Sequence, residues 1–258
     1  MIRQLSRLLI AFGAILLVGA PNALAEPTEI VIRTISRDAK FIGTSMGGMR
    51  IVLRDADTGE ILAQGVTSGT TGDTDQIMRA AGRRAVLANA DSAAFRATLD
   101  LTAPRLVEVE ATGPIAQPQA STRVTARQWI IPGRHIRDGN GWLLEIPGFV
   151  VDVLAPPAHL SLRGARQTID LRANVTMMCG CPITPDGVWN AANYEVRALV
   201  KRNGQDAGSQ AMSYAGSASQ FSANLSISAP GAYEIVVYAY DRATGNTGLD
   251  RTTFVVSP

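Results

Sequence analysis

The sequence predicts an all-β protein made of two antiparallel β-sandwich domains in tandem. Apolar and polar residues alternate with a period of two along most of the chain, which is typical of half-buried strands. Clusters of Asp, Gly, Asn and Pro separate the alternating runs and favour turns. Pro156 and Pro157 divide the runs into two sets. We expect a domain boundary there, because proline cannot extend a strand ladder.

The N-terminal segment, residues 1–25, has the features of a secretory signal peptide. Arg3 and Arg7 precede an apolar run, and residues 23–25 form a small-x-small cleavage site. The apolar run is shorter than the roughly 20 residues that cross a bilayer. We therefore expect cleavage after Ala25, a periplasmic or secreted location, and no membrane span in the mature chain.

The size and charge of the mature chain narrow the classes of partner. Removal of the signal peptide leaves 258 − 25 = 233 residues, which suits two domains. The signal peptide holds two arginines and no acidic residue, so the mature chain carries 24 − 2 = 22 basic and 22 acidic residues. A neutral chain has no overall field that attracts nucleic acid, and we expect no nucleic-acid partner.

The first domain is predicted over residues 26–155 and contains a clear β-hairpin. Alternating runs at 50–54 and 61–63 flank the turn-forming segment 55–60. The hairpin MRIVLRDADTGEILAQGVT and the later segment LVEVEATGP resemble the transthyretin-like, or carboxypeptidase-regulatory-like, β-sandwiches of secreted bacterial proteins. The resemblance covers about residues 26–150 and implies a β-sandwich for this part of the chain.

Residues 66–91 form an insertion that departs from this resemblance. A polar, glycine-bearing loop opens the insertion, and Thr74 or Asp75 is expected to cap a short helix after it. The apolar residues of that helix are predicted on one side: Ile77, Ala80, Ala81 and Leu87.

The second domain is predicted over residues 158–258, where the alternation is most regular. The segment 231–241, the turn at 242–246 and the closing run 252–256 resemble the end of a bacterial immunoglobulin-like or fibronectin-III-like module. Such modules have no common catalytic site, so the resemblance implies a scaffold or a contact surface.

Both cysteines of the chain lie in the segment Met177-Met178-Cys179-Gly180-Cys181-Pro182, and three hypotheses fit them. Export and the even number of cysteines favour a local disulfide. Two thiolates with a nearby thioether instead suit Cu(I), with Cys179, Cys181 and Met178 as candidate ligands. Thiol–disulfide exchange is the third hypothesis.

Other metal and enzyme sites find little support. Zinc requires four ligands, and His135 and His159 are the only imidazoles. No Ser-His-Asp arrangement is evident in the sequence, and neither histidine lies in a glutamate-bearing zinc-protease motif. We therefore expect no enzyme activity and no resident cofactor other than possible copper.

Three aromatic residues, Trp189, Tyr238 and Tyr240, are predicted to contact a partner. If residues 168–178 form a strand, the cysteines lie just past its end, and we expect them to be reachable by solvent beside Trp189. Val236, Tyr238 and Tyr240 share the outer face of the strand at 231–241, where we expect the first domain or a partner to cover them.

The sequence thus favours an exported, non-catalytic binding or structural accessory protein of the cell envelope with a protein partner. A periplasmic copper-handling or thiol-redox accessory protein is the alternative.

Overall fold

The computed structural model describes residues 24–164 and 166–258, so most of the expected signal peptide lies outside the described residues. Within them the chain forms sixteen strands, one α-helix and three short 3-10 turns. The strands are β1 (Glu26–Ser36), β2 (Arg50–Asp55), β3 (Ile61–Val66), β4 (Phe95–Leu101), β5 (Arg105–Gly113), β6 (Thr122–Ile130), β7 (Trp142–Ile146), β8 (Phe149–Ala155), β9 (Leu160–Arg163), β10 (Gln167–Met177), β11 (Tyr194–Arg202), β12 (Gln205–Ala211), β13 (Ser213–Tyr214), β14 (Gln220–Ile227), β15 (Gly231–Asp241) and β16 (Thr247–Ser257). The helix is α1 (Thr74–Met78), and the 3-10 turns are Thr44–Met46, Pro118–Ala120 and Ala191–Asn193. The all-β prediction is confirmed.

The first sandwich contains strands β1 to β7 in two sheets. One sheet has the order β4-β1-β7 and the other β3-β2-β5-β6. Inward side chains of both sheets, such as Ile32, Leu53 and Val109, share one buried core. The predicted hairpin is β2–β3, and its turn is held by the carboxylate of Asp55, which accepts the main-chain N–H groups of Asp57 and Thr58.

The insertion packs against the outer side of β1. Its helix is shorter than expected: α1 ends at Met78, and Asp73 caps it by accepting the N–H of Gln76 at 2.7 Å. Ile77 enters a small core with Ile35 and Phe41. The cap was expected at Thr74 or Asp75, one or two residues too late, because Asp73, Thr74 and Asp75 are all good capping residues.

The second sandwich pairs a sheet β13-β14-β10-β8 with a sheet β12-β11-β15-β16-β9. Its two sheets and the succession of antiparallel strands give it the immunoglobulin-like or fibronectin-III-like character that the sequence suggested. Tyr233, near the start of β15, donates its hydroxyl to the carbonyl of Ala229 at 2.7 Å. This contact is the tyrosine corner of immunoglobulin-like sandwiches.

The position of the expected domain boundary needs correction. Strand β8 was assigned to the first domain, yet it pairs antiparallel with β10 in the second sandwich. After β8 the chain passes Pro156 and Pro157 and crosses to the opposite sheet, where β9 pairs in parallel with β16. The two prolines therefore mark a switch between sheets, and the sandwiches meet at Pro147-Gly148. A proline pair ends a ladder in either situation, so the sequence pattern does not distinguish them.

Candidate protein-interaction groove

The two cysteines form a disulfide inside the molecule. Their Cα atoms are 5.3 Å apart, within the range that a disulfide spans, and Gly180 between them has a positive φ of 75°. Cys179 is 1% exposed and Cys181 is 4% exposed. The local disulfide is thus the arrangement present in the structure, and the expectation that the cysteines are reachable by solvent is wrong.

The first sandwich covers the cysteines, which explains this difference. Trp189 is buried beside them and donates its indole N–H to the carbonyl of Asp38 at 2.9 Å. Met46 lies against Gly180 so closely that a Cβ at that glycine would be 2.6 Å from the methionine sulfur. The loop does lie at one pole of the second sandwich as expected, but that pole is an internal interface.

The interface also separates the candidate metal ligands. Met178 packs in the core of the first sandwich, whereas Met177 and both cysteines belong to the core of the second. Among residues 24–164 and 166–258, no cluster of three or more His, Cys, Asp or Glu side chains is placed to hold a metal ion. The copper site at Cys179, Cys181 and Met178 stays a prediction, and its ligands belong to two different cores in this structure.

Asn246 ties the turn between β15 and β16 to the first sandwich. Its side chain is fully buried, accepts the N–H of Gly148 at 2.9 Å and donates to the carbonyl of Arg37 at 3.3 Å. Each of these partners is a main-chain group, so the contact depends on backbone position. Together with the Trp189 contact it fixes how the two sandwiches meet.

A groove of about 580 Å³ opens where the two sandwiches meet, next to Pro147 and Gly148. The turn at 119–122 of the first sandwich forms one wall, and the outer face of the five-stranded sheet forms the other. The sheet contributes four large side chains: Leu199, Val236, Tyr238 and Leu249. Leu199 lies opposite Val236 and Tyr238 opposite Leu249 in the strand register, so the four form a compact apolar patch.

Charged residues border this patch on the same face of the sheet. Glu234 approaches Lys201 at 3.9 Å and Arg251 at 3.8 Å. Tyr238 donates its hydroxyl to Glu195, and this hydrogen bond raises the pKa of the phenol and lowers that of the carboxyl group. An apolar centre with a polar rim is the usual organisation of a protein-binding surface.

The predicted stripe on β15 divides between two places. Val236 and Tyr238 are half-buried in the groove, close to the first sandwich. Tyr240 is also half-buried but lines a separate cleft of about 340 Å³ within the second sandwich, beside Tyr194 and Arg242. Burial, followed by the charges of Asp241 and Asp38, raises the pKa of Tyr194 to about 12, so this phenol stays neutral at physiological pH.

A polar contact supports the wall of the groove. Gln119 of the first sandwich donates its amide to the carboxylate of Asp152 on β8. Burial and the nearby charge of Asp250 raise the pKa of Asp152. Asp250 itself accepts the main-chain N–H of Val153 at 2.8 Å. The turn at 119–122 is thereby joined to an edge strand of the second sandwich.

Sequence reasoning missed several residues of the groove. Leu199 and Leu249 are 43% and 45% exposed, but each looks like an ordinary strand residue in the sequence. Their position outside the alternating core face was the available signal. The contribution of Gln119 carries no local signal, because it depends on how the two sandwiches meet.

Comparisons with known proteins give only general similarity. No protein-family model matches the chain, and none of the curated proteins matches it. An engineered protein of known structure shares 15% identity over 50% of this chain, with a TM-score of 0.31, and the match spans 24% of that protein's length. The fibronectin(III)-like modules of Clostridium thermocellum CbhA share 14% identity over 81% of this chain and 78% of theirs, with a TM-score of 0.30.

A chimeric titin Z1Z2 that carries a peptide from decorin shares 12% identity over 92% of this chain and 99% of its own, with a TM-score of 0.24. TM-scores this low carry no argument about fold or function. In the described part of the chain, no helix has the length and apolar character needed to cross a membrane.

Proposed function

We propose that this chain is an exported, non-catalytic binding protein of the cell envelope that holds a segment of a protein partner in the groove beside Tyr238. The observation that carries this proposal is the apolar patch of Leu199, Val236, Tyr238 and Leu249 at the junction of the two sandwiches. Leu199 and Leu249 are 43% and 45% exposed, and a partner that covers them stabilises the complex by removing apolar surface from water.

The chemistry of the groove favours a protein segment as its occupant. A tyrosine ring provides a large contact area at low cost in side-chain entropy, and its hydroxyl is already held by Glu195. The charges on Lys201, Glu234 and Arg251 supply both signs at the rim, which suits the mixed polarity of a polypeptide.

Site-specific photo-cross-linking in intact cells tests this function. A photoreactive amino acid at Leu249 places the probe in the groove, and one at Ile61, which is 48% exposed on β3, provides a matched control. We expect a discrete cross-linked protein from position 249 and none from position 61. Identical products from both positions, or none from either, would contradict the proposal. A product with twice the mass of the chain would identify a second copy as the partner.

Export is a separate part of the proposal and rests on the features of residues 1–25. The first strand begins at Glu26, the residue expected to start the mature chain, and this supports cleavage after Ala25. The intact mass of the protein recovered from the periplasm or medium should correspond to a chain that begins at Glu26. Recovery of the full-length chain from the membrane fraction would refute it.

Copper handling or thiol-redox activity at Cys179 and Cys181 is the alternative, and the geometry supports it less well. It requires reduction of the disulfide and movement of Trp189 or Met46, because both sulfurs are buried at the interface. Measurement of Cu(I) bound by the reduced, folded protein tests this alternative. Stoichiometric copper that is lost in Cys181→Ser would favour copper handling over a purely structural disulfide.

A further inference from the structure

A buried arginine on the outer side of the first sandwich has two N–H groups with no hydrogen-bond partner among residues 24–164 and 166–258. Arg33 lies in the middle of β1 and is only 6% exposed. Its Nε and Nη1 atoms are buried without a hydrogen-bond acceptor. Buried guanidinium groups are normally paired, since a charge removed from water without compensation is costly. The unmatched donors therefore indicate a missing acceptor.

The neighbouring acidic groups do not supply that acceptor. Glu29 is the nearest acid on the same face of β1, and both of its carboxylate oxygens accept from Arg137 at 2.8 Å. Asp138 lines the same cleft, yet no ion pair joins it to Arg33 in the described residues. Burial and then the positive charge of Arg96 lower the pKa of Arg33, in keeping with this lack of a counter-ion.

The cleft beside Arg33 is large enough for a small molecule and has an excess of positive charge. Its volume is about 460 Å³. Glu29, Val31 and Arg33 share one face of β1, and Arg96 is the register partner of Val31 on β4. The three arginines and two acids that line the cleft give a net charge of 3 − 2 = +1. Arg96 is exposed and forms no ion pair with the described residues, so it is free to contact a ligand.

We propose that this cleft binds the oxyanion group, carboxylate or phosphate, of a small molecule. Arg33 is the buried anchor, because its planar guanidinium offers several fixed N–H donors that match the oxygens of such a group. Arg96 contacts the same group from the solvent side, and Arg137 remains paired with Glu29 at the rim. The site lies entirely in the first sandwich and is independent of the groove beside Tyr238.

Thermal unfolding of the intact mature protein in different sodium salts tests this site. Sodium phosphate and sodium acetate are compared with sodium chloride at equal ionic strength. A ligand that binds only the folded state raises the midpoint of unfolding with its concentration. We expect such a rise with at least one of the two oxyanions. A response to phosphate alone identifies a phosphate group as the ligand chemistry, and a response to acetate alone identifies a carboxylate.

Three variants separate specific binding from the general stabilising effect of some salts. Arg33→Met removes the buried charge and retains an unbranched side chain, so the midpoint in chloride should be equal or higher and the specific rise should disappear. Arg96→Gln changes an exposed residue and should require at least about tenfold more oxyanion for the same rise. Arg166→Gln, exposed in the second sandwich, should behave like the unmodified protein.

Two results would overturn the proposal. One is an equal midpoint in all three salts for the unmodified protein. The other is an oxyanion-dependent rise in the midpoint that is as large in Arg33→Met and in Arg96→Gln as in the unmodified protein. If Arg33→Met does not fold, the comparison of Arg96→Gln with Arg166→Gln still decides the outcome, because both replace exposed arginines.

Discussion

The indole N–H of Trp189 donates a 2.9 Å hydrogen bond to the main-chain carbonyl of Asp38, which lies in the other sandwich. This bond crosses the interface that also buries Cys179 and Cys181. Asn246 crosses the same interface through its bond to the carbonyl of Arg37. The two sandwiches are therefore held in a defined arrangement, and the groove beside Tyr238 exists because of that arrangement.

Replacement of Trp189 by Phe should weaken this interface. The substitution removes the hydrogen bond to Asp38 and leaves a small cavity, and we expect the free energy of unfolding to fall by about 1–3 kcal/mol. Urea denaturation measures this change. Trp129→Phe is the matched control, since Trp129 is 61% exposed and its replacement should have little effect. Equal effects of both substitutions would contradict the role assigned to Trp189.

The disulfide should resist reagents as long as the protein is folded. Cys179 and Cys181 are covered by the first sandwich, so mild reductant followed by a thiol reagent should detect almost no reactive thiol before unfolding. Met46→Ala should speed the reaction, because Met46 lies directly against Gly180. The rapid appearance of two reactive thiols in the unmodified, folded protein would show that the cover opens readily.

The corrected domain boundary predicts which fragments fold. A fragment of residues 148–258 retains β8, whereas residues 158–258 lack it and lose Phe149 and Val151 from the core of the second sandwich. Loss of these two buried side chains should cost about 3–6 kcal/mol. We expect a cooperative thermal transition from the longer fragment and a much weaker one, or none, from the shorter. Equal stability of the two fragments would show that the second sandwich does not need β8, and would support a domain boundary at Pro156.

Asp152 should make stability depend on pH in a defined direction. Burial, together with the charge of Asp250, raises the pKa of Asp152 in the folded state. The folded protein thus binds this proton more tightly than the unfolded chain, and the ionised form opposes folding at neutral pH. Asp152→Asn should therefore be more stable than the unmodified protein at pH 7, while its amide oxygen still accepts the hydrogen bond from Gln119.

This advantage should shrink as the pH falls through the raised pKa and vanish below about 3.9, the ordinary pKa of an aspartate. Thermal unfolding over a range of pH measures it. Asp100→Asn, a change at an exposed residue of the first sandwich, serves as the control. If Asp152→Asn is less stable than the unmodified protein at pH 7, the prediction is wrong.

Local patterns in the sequence predicted most strands but not the contacts between sandwiches. The alternation at 169–177 and 231–241 corresponds to β10 and β15, because each strand buries one face in its own sandwich. Strand β12 was missed since QDAGSQA contains no large apolar residue; it lies at the exposed edge of its sheet. The burial of Cys179 could not be predicted because another part of the chain provides the cover.

The sequence does contain a signal for the burial of Arg33. This residue directly follows the apolar run Ile30-Val31-Ile32, and a run without alternation is typical of a strand buried on both faces. The burial of its side chain was nevertheless not anticipated from the sequence. Only the structure shows that the acid on the same face, Glu29, is already paired with Arg137.

The most direct test of the proposed function is the affinity for the partner identified by cross-linking, measured by calorimetric titration with purified proteins. Leu199→Glu places a charge in the apolar patch of the groove, and the dissociation constant should rise by at least about tenfold. Val255→Glu, a change at a residue that is 46% exposed on the distal part of β16, should leave it unchanged. Equal affinities for the unmodified protein and Leu199→Glu would contradict the assignment of the groove as the binding surface.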